Sequence, residues 1–437
     1  MRPLKERIQK LIEALDTRLL ERKTLIRISI LTIFSKHHIM LYGVPGVAKT
    51  FAINNIIKII DKEVAWQITM SNETGLDDLI PEPQREAQEV LNDPRCILSQ
   101  RFIFLDEMFK GTQNLLNALL PILNERVYQL SGKNYPLKLN TVFAASNEIP
   151  QDDFIEPFRD RILFWFDVKR LAEQENKLKY YKEDFTAGKE LEEIFTIEDI
   201  EEVNEYIDKT KSLKMNEEIA KLYEKIIVEI LRNSISLSDR KSGSGFIIKA
   251  LKTSAVLNNR DKIDHSDLLL MKHCTWTDLD QRVLAFEAVE RCIFGSKAAI
   301  QKNIISLIQN FRDLTSRTTP KIADLIELIV FLDFTKYDET LKILKNYNQE
   351  IQDFEKKLNE LLTDREEKEA IFQSCLDNVF IADDVYQCAA PYKEEEVIDM
   401  IDELVTLFEI EKNNIQKKID ELDSYDKYHL AFNQANS

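Results

Sequence analysis

Ile39-Met-Leu-Tyr-Gly43-Val-Pro-Gly46-Val-Ala-Lys49-Thr50 decides how this chain is read. A short apolar strand runs into a glycine-bearing loop, and a helix over Phe51–Ile60 follows. Such a loop turns its backbone N–H groups inward around phosphate oxygens at the positive end of the helix. Gly43, Val44, Pro45, Gly46, Val47, Ala48, Lys49, Thr50 and Phe51 are the expected cofactor-binding residues. Lys49 is placed to reach the β and γ phosphates, and Thr50 to offer its hydroxyl to Mg²⁺. Ala48 stands where glycine usually precedes the lysine, and its methyl group is expected to fit there at a negative φ.

Downstream stretches supply the remaining chemistry. Phe102-Ile-Phe-Leu-Asp106-Glu107 is an apolar strand that ends in two acids, 57 residues after Lys49. Carboxylates at the end of a buried strand are costly unless they have work to do. Asp106 is expected to hold Mg²⁺ through water, and Glu107 to orient and deprotonate an attacking water. Val142-Phe-Ala-Ala-Ser-Asn147 ends a further strand in an amide, 41 residues after Asp106, placed to stand between the γ-phosphate and that water. In Phe158-Arg-Asp-Arg161-Ile-Leu-Phe-Trp-Phe166 an arginine directly precedes a strand. Arg161, with Arg159 as second choice, is expected to reach a neighbouring subunit's nucleotide and stabilise developing charge. The competing reading of either arginine is a surface salt bridge.

Composition sets the frame. Among 437 residues there are only 9 Gly and 11 Pro, which excludes a turn-rich all-β protein, a collagen or a flexible linker. A net charge of −17 argues against a surface made for nucleic acid or anionic membrane. The five cysteines are scattered without a CxxC pair, as reduced thiols in a cytoplasmic protein would be. No run approaches a membrane-spanning length of about 18 apolar residues.

Nine of the 11 prolines lie before residue 158, as do the first four of five strand-like runs: Ile39–Tyr42, Ala65–Ile68, Phe102–Leu105, Thr141–Ala145 and Ile162–Phe166. Short apolar runs separated by helices suit a parallel sheet covered on both faces. The chain therefore reads as α/β followed by all-α. Near its end, Leu341, Leu344, Ile351, Phe354, Leu358 and Leu361 form one heptad-like series, and Ile401, Leu404, Phe408, Ile415 and Leu422 another. Two such helices suggest an antiparallel hairpin. From residue 301 onward 16 basic residues face 29 acidic ones, so the acidity is concentrated there, either as a solvated face or as a docking surface for a basic partner.

The order of loop, Asp-Glu, Asn and Arg resembles the AAA+ ATPases, within them the MoxR group, and most closely its RavA branch. The resemblance rests on residues 39–50, on 102–126 (FIFLDEMFKGTQNLLNALLPILNER), on 143–150 (FAASNEIP), and on Ser238-Asp-Arg240 followed by a helix over Phe246–Leu257. It implies an αβα core with a parallel five-stranded sheet over 1–172, a helical lid over 173–298, and ATP with Mg²⁺ bound between subunits of a ring, usually a hexamer. It implies that Arg240, from the lid, senses the γ-phosphate. It places an inserted segment at Ser71–Leu91 and a hairpin at Val127–Leu139 with Ser-Gly-Lys-Asn as its turn. Family members act as chaperone-like remodellers of proteins, often with a von Willebrand factor A partner. Residues 299–437 lie outside the resemblance as an acidic helical extension. The span 363–396 is too short for the small β-rich domain of the RavA branch.

Two other functions compete. A nucleic-acid motor or loader on the same scaffold would need a basic hairpin, and Lys133 and Lys138 are a weak footprint for one. A non-catalytic nucleotide switch would be expected to lack Glu107 or the arginines, and it does not. His37 and His38 read as loop residues without metal-like companions.

Overall fold

The computed structural model describes residues 4–435, leaving aside 61, 84, 131, 151, 183–193, 211–212, 244, 331–335 and 386–389. Seven strands are present in these residues: β1 Ile39–Tyr42, β2 Trp66–Thr69, β3 Phe102–Asp106, β4 Val127–Leu130, β5 Lys133–Pro136, β6 Thr141–Ser146 and β7 Phe164–Asp167. Five of them make one sheet in the order β2-β3-β6-β1-β7, every neighbouring pair parallel. The side chains of β3 from Phe102 to Leu105, and all of β6, are buried, as the continuous apolar runs require of strands covered on both faces. The register matters for function. Ile39 lies beside Phe143 and Phe164, and Phe102 beside Thr141, so all the strand starts share one edge. Tyr42, Asp106, Ser146 and Asp167 share the other.

Helices cover the sheet: α1 Leu4–Asp16, α2 Lys23–Phe34, α3 Lys49–Ile57, α4 Gln113–Glu125, α5 Glu156–Arg161 and α6 Gln174–Lys182. α4 starts where the Thr112 side chain accepts the Leu115 N–H, a sequence-local stop for an otherwise unpaired donor. Further helices follow: α7 Ile197–Lys209, α8 Glu217–Arg232, α9 Asp239–Ser242, α10 Phe246–Leu257 and α11 Leu279–Phe294. Thr196 and Asp199 close a capping box at the start of α7.

Two expectations are corrected. The hairpin pairs Leu130 with Lys133, so Lys133 and Asn134 belong to β5 and the turn is two residues long, with Gly132 at φ +75°. His37 and His38 are not bland loop residues. Both are buried, and His38 joins two elements: its Nε2 bonds the Leu123 carbonyl at 2.8 Å, and its Nδ1 accepts the Val142 N–H at 3.0 Å. Burial pushes its pKa down to about 3.

The chain divides into two compact units, 1–293 with 373–388, and 294–372 with 389–437. The second is built on three long helices, α12 Lys297–Val330, α13 Tyr337–Asp377 and α14 Glu395–Ala435. Tyr347 near the start of α13 bonds Glu411 within α14, while Asp364 further along α13 bonds Tyr392 just ahead of α14, so these helices are antiparallel. The α12–α14 contacts Lys297–Glu396, Arg312–Glu403 and Thr319–Glu411 advance together, so these two are parallel. Leu344, Ile351, Phe354, Leu358 and Leu361 are buried, as are Ile401, Leu404, Phe408, Ile415 and Leu422. The expected pair of helices is thus joined by a third. α12 adds Ile304, Phe311 and Ile322, and the Phe311 ring lies 4.4 Å from that of Phe354.

Residues 373–388 lie within the span 299–437 yet group with the first unit. There, Asn378 Nδ2 donates to Ser266 Oγ at 3.0 Å and to Asp267 Oδ1 at 3.2 Å, while its Oδ1 accepts from Asn258 at 3.0 Å. Asp384 is bonded by His273 Nε2 at 2.9 Å and by Thr24 Oγ1 at 3.1 Å.

Candidate functional site

The strand register brings the predicted residues together. β1 hands the chain to Gly43, β3 ends in Asp106, and β6 leads to Asn147, all at the C-terminal edge of the sheet. Gly43 is required there: a Cβ on it would stand 2.5 Å from the Val168 carbonyl oxygen. Gly46 takes φ +79°, a left-handed conformation natural to glycine. α3 begins at Lys49, two residues earlier than the sequence suggested, so its first N–H groups face the loop.

Lys49 Nζ donates to the Gly43 carbonyl at 2.6 Å and to Asn147 Oδ1 at 3.1 Å. Asn147 Nδ2 donates in turn to Glu107 Oε1. A hydrogen-bonded chain therefore joins lysine, amide and carboxylate, with Asp106 beside it accepting the Glu107 N–H at 3.1 Å. Burial lowers the Lys49 pKa, while Asp106 and Glu107 act in the opposite sense. Lys110 Nζ stands 3.5 Å from Glu107 Oε2. Thr50 follows in the first turn of α3. Its hydroxyl and the Asp106 carboxylate are the hard oxygen donors that a magnesium ion takes.

Two backbone features depart from expectation or go beyond it. Ala48 sits at φ +61°, ψ +35°, not at a negative φ. The loop imposes the left-handed conformation despite the methyl group, which costs roughly 1–2 kcal/mol relative to glycine. Glu107 is left-handed too, at φ +52°. Strain of this kind persists where the surroundings over-determine the backbone, and it gathers at functional sites.

The loop's outer side borders a cavity of about 630 Å³ that sequence reasoning missed. Arg18, Arg22, Arg170, Lys177, Tyr180 and Tyr181 line it together with Val47, Ala48 and Phe51. Arg22 also fixes the loop: its Nη2 donates to the Lys169 carbonyl at 2.9 Å and to the Val47 carbonyl at 3.3 Å. The signal that could have found this wall is the aromatic pair Tyr180-Tyr181 among lysines on α6, whose rings are largely exposed.

Arg159, Arg161 and Arg240 are not in this cluster. Arg161 closes α5 just before β7 begins, at the N-terminal edge of the sheet, and its Nη1 donates to the Pro157 carbonyl at 2.8 Å. Arg159 is engaged by Glu156 and by the Pro150 carbonyl. Arg240 bonds Asn124, in the last turn of α4, and lies 3.6 Å from Asp160. Leu123, beside Asn124, contacts His38 at the start of β1, so Arg240 also belongs to the N-terminal edge.

The family of MoxR domains described from MoxR–vWA–beta-propeller ternary systems matches residues 6–212, and the AAA lid domain family matches 214–289. Residues 6–212 are thus similar to MoxR domains, and residues 214–289 to AAA lid domains. An uncharacterised protein of Methanocaldococcus jannaschii is 29% identical over 360 residues, which span 80% of this chain and 87% of that one. The chaperone MoxR1 of Mycobacterium tuberculosis is 25% identical over 160 residues, 34% of this chain and 41% of its own. A crystal structure of a candidate ATPase from Cytophaga hutchinsonii shares the fold, with a TM-score of 0.51, 17% identity, and coverage of 66% of this chain and 95% of that one. The fold thus has a counterpart in a solved structure. No helix among the described residues is long and apolar enough to cross a membrane.

Proposed function

We propose that the MoxR-type module hydrolyses ATP and that the chain works as a homo-oligomeric ring, six subunits by the family pattern, remodelling a protein partner in a chaperone-like way. The observation that carries this reading is the Lys49–Asn147–Glu107 hydrogen-bonded chain beside Asp106. The roles follow from it. The P-loop N–H groups and Lys49 hold the β and γ phosphates. Glu107 orients the attacking water and takes its proton. Asn147 keeps Glu107 and Lys49 in register. Thr50 and Asp106 are the residues that would hold Mg²⁺, which would supply positive charge against the charge that builds on the phosphates. The adenosine end occupies the cavity walled by Arg18, Phe51, Tyr180 and Tyr181.

Arg161 and Arg240 stand at the sheet's opposite edge and cannot serve the P-loop of their own chain. They act on a neighbouring subunit's nucleotide, with Arg161 as the main charge stabiliser and Arg240 as the lid's sensor. The matching family description names a vWA protein and a beta-propeller, and we read a vWA protein as the partner here. The RavA-like wording of residues 39–50 fits the same reading of the loop.

Glu107→Gln tests the mechanism. The variant is expected to bind ATP with affinity close to that of the parent and to turn it over at least ~100-fold more slowly, as loss of a general base predicts. Near-normal phosphate release from Glu107→Gln would remove Glu107 as the base.

A further inference from the structure

A second cavity, of about 410 Å³, opens at the N-terminal edge of the sheet, between the core and α10 of the lid. Its wall carries five cationic residues, Lys36, Arg126, Arg161, Lys249 and Lys252, against one lining carboxylate, Asp208. Lys36 is paired with Glu201 at 2.6 Å. The others are poorly balanced. Arg126 is half-buried and, among the described residues, donates only to main-chain carbonyls, those of Lys36, Leu139 and Asn140. Among the described residues the buried Arg161 Nε has no hydrogen-bond partner. Lys249 has its pKa lowered, first by burial and then by Arg126 and Lys36, with Asp208 and Glu201 opposing. His37 and His38 close the back wall as neutral rings, so they add no counter-charge.

A chain with a net charge of −17 gains nothing in general solubility from gathering cations in a recess. Half-buried like charges repel across a medium of reduced dielectric, and an anion that fills the recess removes that repulsion. Guanidinium forks and ammonium groups converging on a space of this size match several phosphate groups on one ligand better than a single carboxylate. We propose that this cavity is a second anion site, distinct from the P-loop, that takes an oligophosphate: inorganic tripolyphosphate, or the phosphate chain of a nucleotide. The cavity shares Arg161 with the subunit junction proposed above, but Lys249 and Lys252 play no part in the hydrolytic machinery, so variants at these two lysines test the site apart from that reading.

The test uses the full chain with its P-loop saturated by ADP and Mg²⁺. Titration with sodium tripolyphosphate in a calorimeter is expected to show one saturable site per chain, weakened at least tenfold by Lys249→Glu/Lys252→Glu. Fluorescent ADP should bind that variant at the P-loop within twofold of the parent. Should the double variant fail to fold, Lys252→Gln alone is expected to weaken tripolyphosphate by about threefold. A parallel titration with ATP in place of tripolyphosphate separates the sources: tighter binding of ATP marks a nucleotide site, equal or weaker binding an inorganic one. Absence of saturable heat, heat unchanged by charge reversal, or heat abolished by Lys49→Ala would each overturn the proposal.

Discussion

At the scale of single residues, two positions hold conformations or charge states that their chemistry resists. Ala48 keeps a left-handed backbone in the middle of the P-loop. Replacing it with glycine removes the Cβ penalty and returns part of the gain as unfolded-chain entropy. Ala48→Gly is therefore expected to raise the unfolding free energy of the nucleotide-free protein by about 1 kcal/mol. Urea unfolding measures it, and a variant no more stable than the parent would show that the loop relaxes around alanine at no cost. His37 lies between the rings of Phe164 and Phe246, and burial holds its pKa well below 6.5. The unfolded chain binds a proton at this side chain below about pH 6.5 and the folded chain does not, so stability is full above that pH and falls as the pH drops. His38 behaves alike until its own pKa near 3. His37→Phe is expected to lessen the acid slope by about 1.4 kcal/mol per pH unit between pH 6 and 5. An unchanged slope would mean that His37 is already protonated in the fold.

At the scale of elements, the segment 373–388 shows how buried polar groups define a fold. Asn378 is 2% exposed and engages Asn258, Ser266 and Asp267, while Phe380 N donates to its Oδ1 at 3.0 Å. Asn378→Ala would leave several of these groups buried without partners, each costing about 1–3 kcal/mol. A net loss of roughly 3 kcal/mol is expected, read from tryptophan fluorescence during urea unfolding, since Trp66, Trp165 and Trp276 all lie in the first unit. A loss below about 1 kcal/mol would mean that water replaces the amide. None of this was legible in the sequence, because Asn378 reads as one polar residue at the end of a helix and its partners lie more than a hundred positions away. The sheet was legible, since its strands are short apolar runs, and those of β1, β3 and β6 are buried almost along their length. So were Lys49, Asp106, Glu107 and Asn147, which sit at strand ends and need no long-range pairing to be found. The cavity wall of Arg18 and Tyr181 and the edge on which Arg240 stands depend on how distant helices close on one another, and no local pattern encodes that.

At the scale of the whole molecule, the parallel sheet separates the two groups of residues to which the proposed chemistry is assigned. Lys49, Asp106, Glu107 and Asn147 gather at the C-terminal edge, and Arg161 and Arg240 at the N-terminal edge. A four-residue strand such as β1 spans about 13 Å, and that length separates Arg161 and Arg240 from the P-loop of the same chain. If hydrolysis needs both, the competent site is made of two chains, and defects in the two halves complement one another. Arg161→Ala retains Glu107, and Glu107→Gln retains Arg161. Each variant alone is expected to be nearly inactive. In a one-to-one mixture, about a quarter of the junctions pair an intact Glu107 with an intact Arg161, so ATP turnover should recover to about a quarter of the parent rate. Phosphate release from the mixture, after both proteins are disassembled and reassembled together, makes the measurement. A rate equal to the average of the two separate variants would show that Arg161 serves no neighbour, and it would return the arginine to the role of an ion-pairing residue at the end of α5.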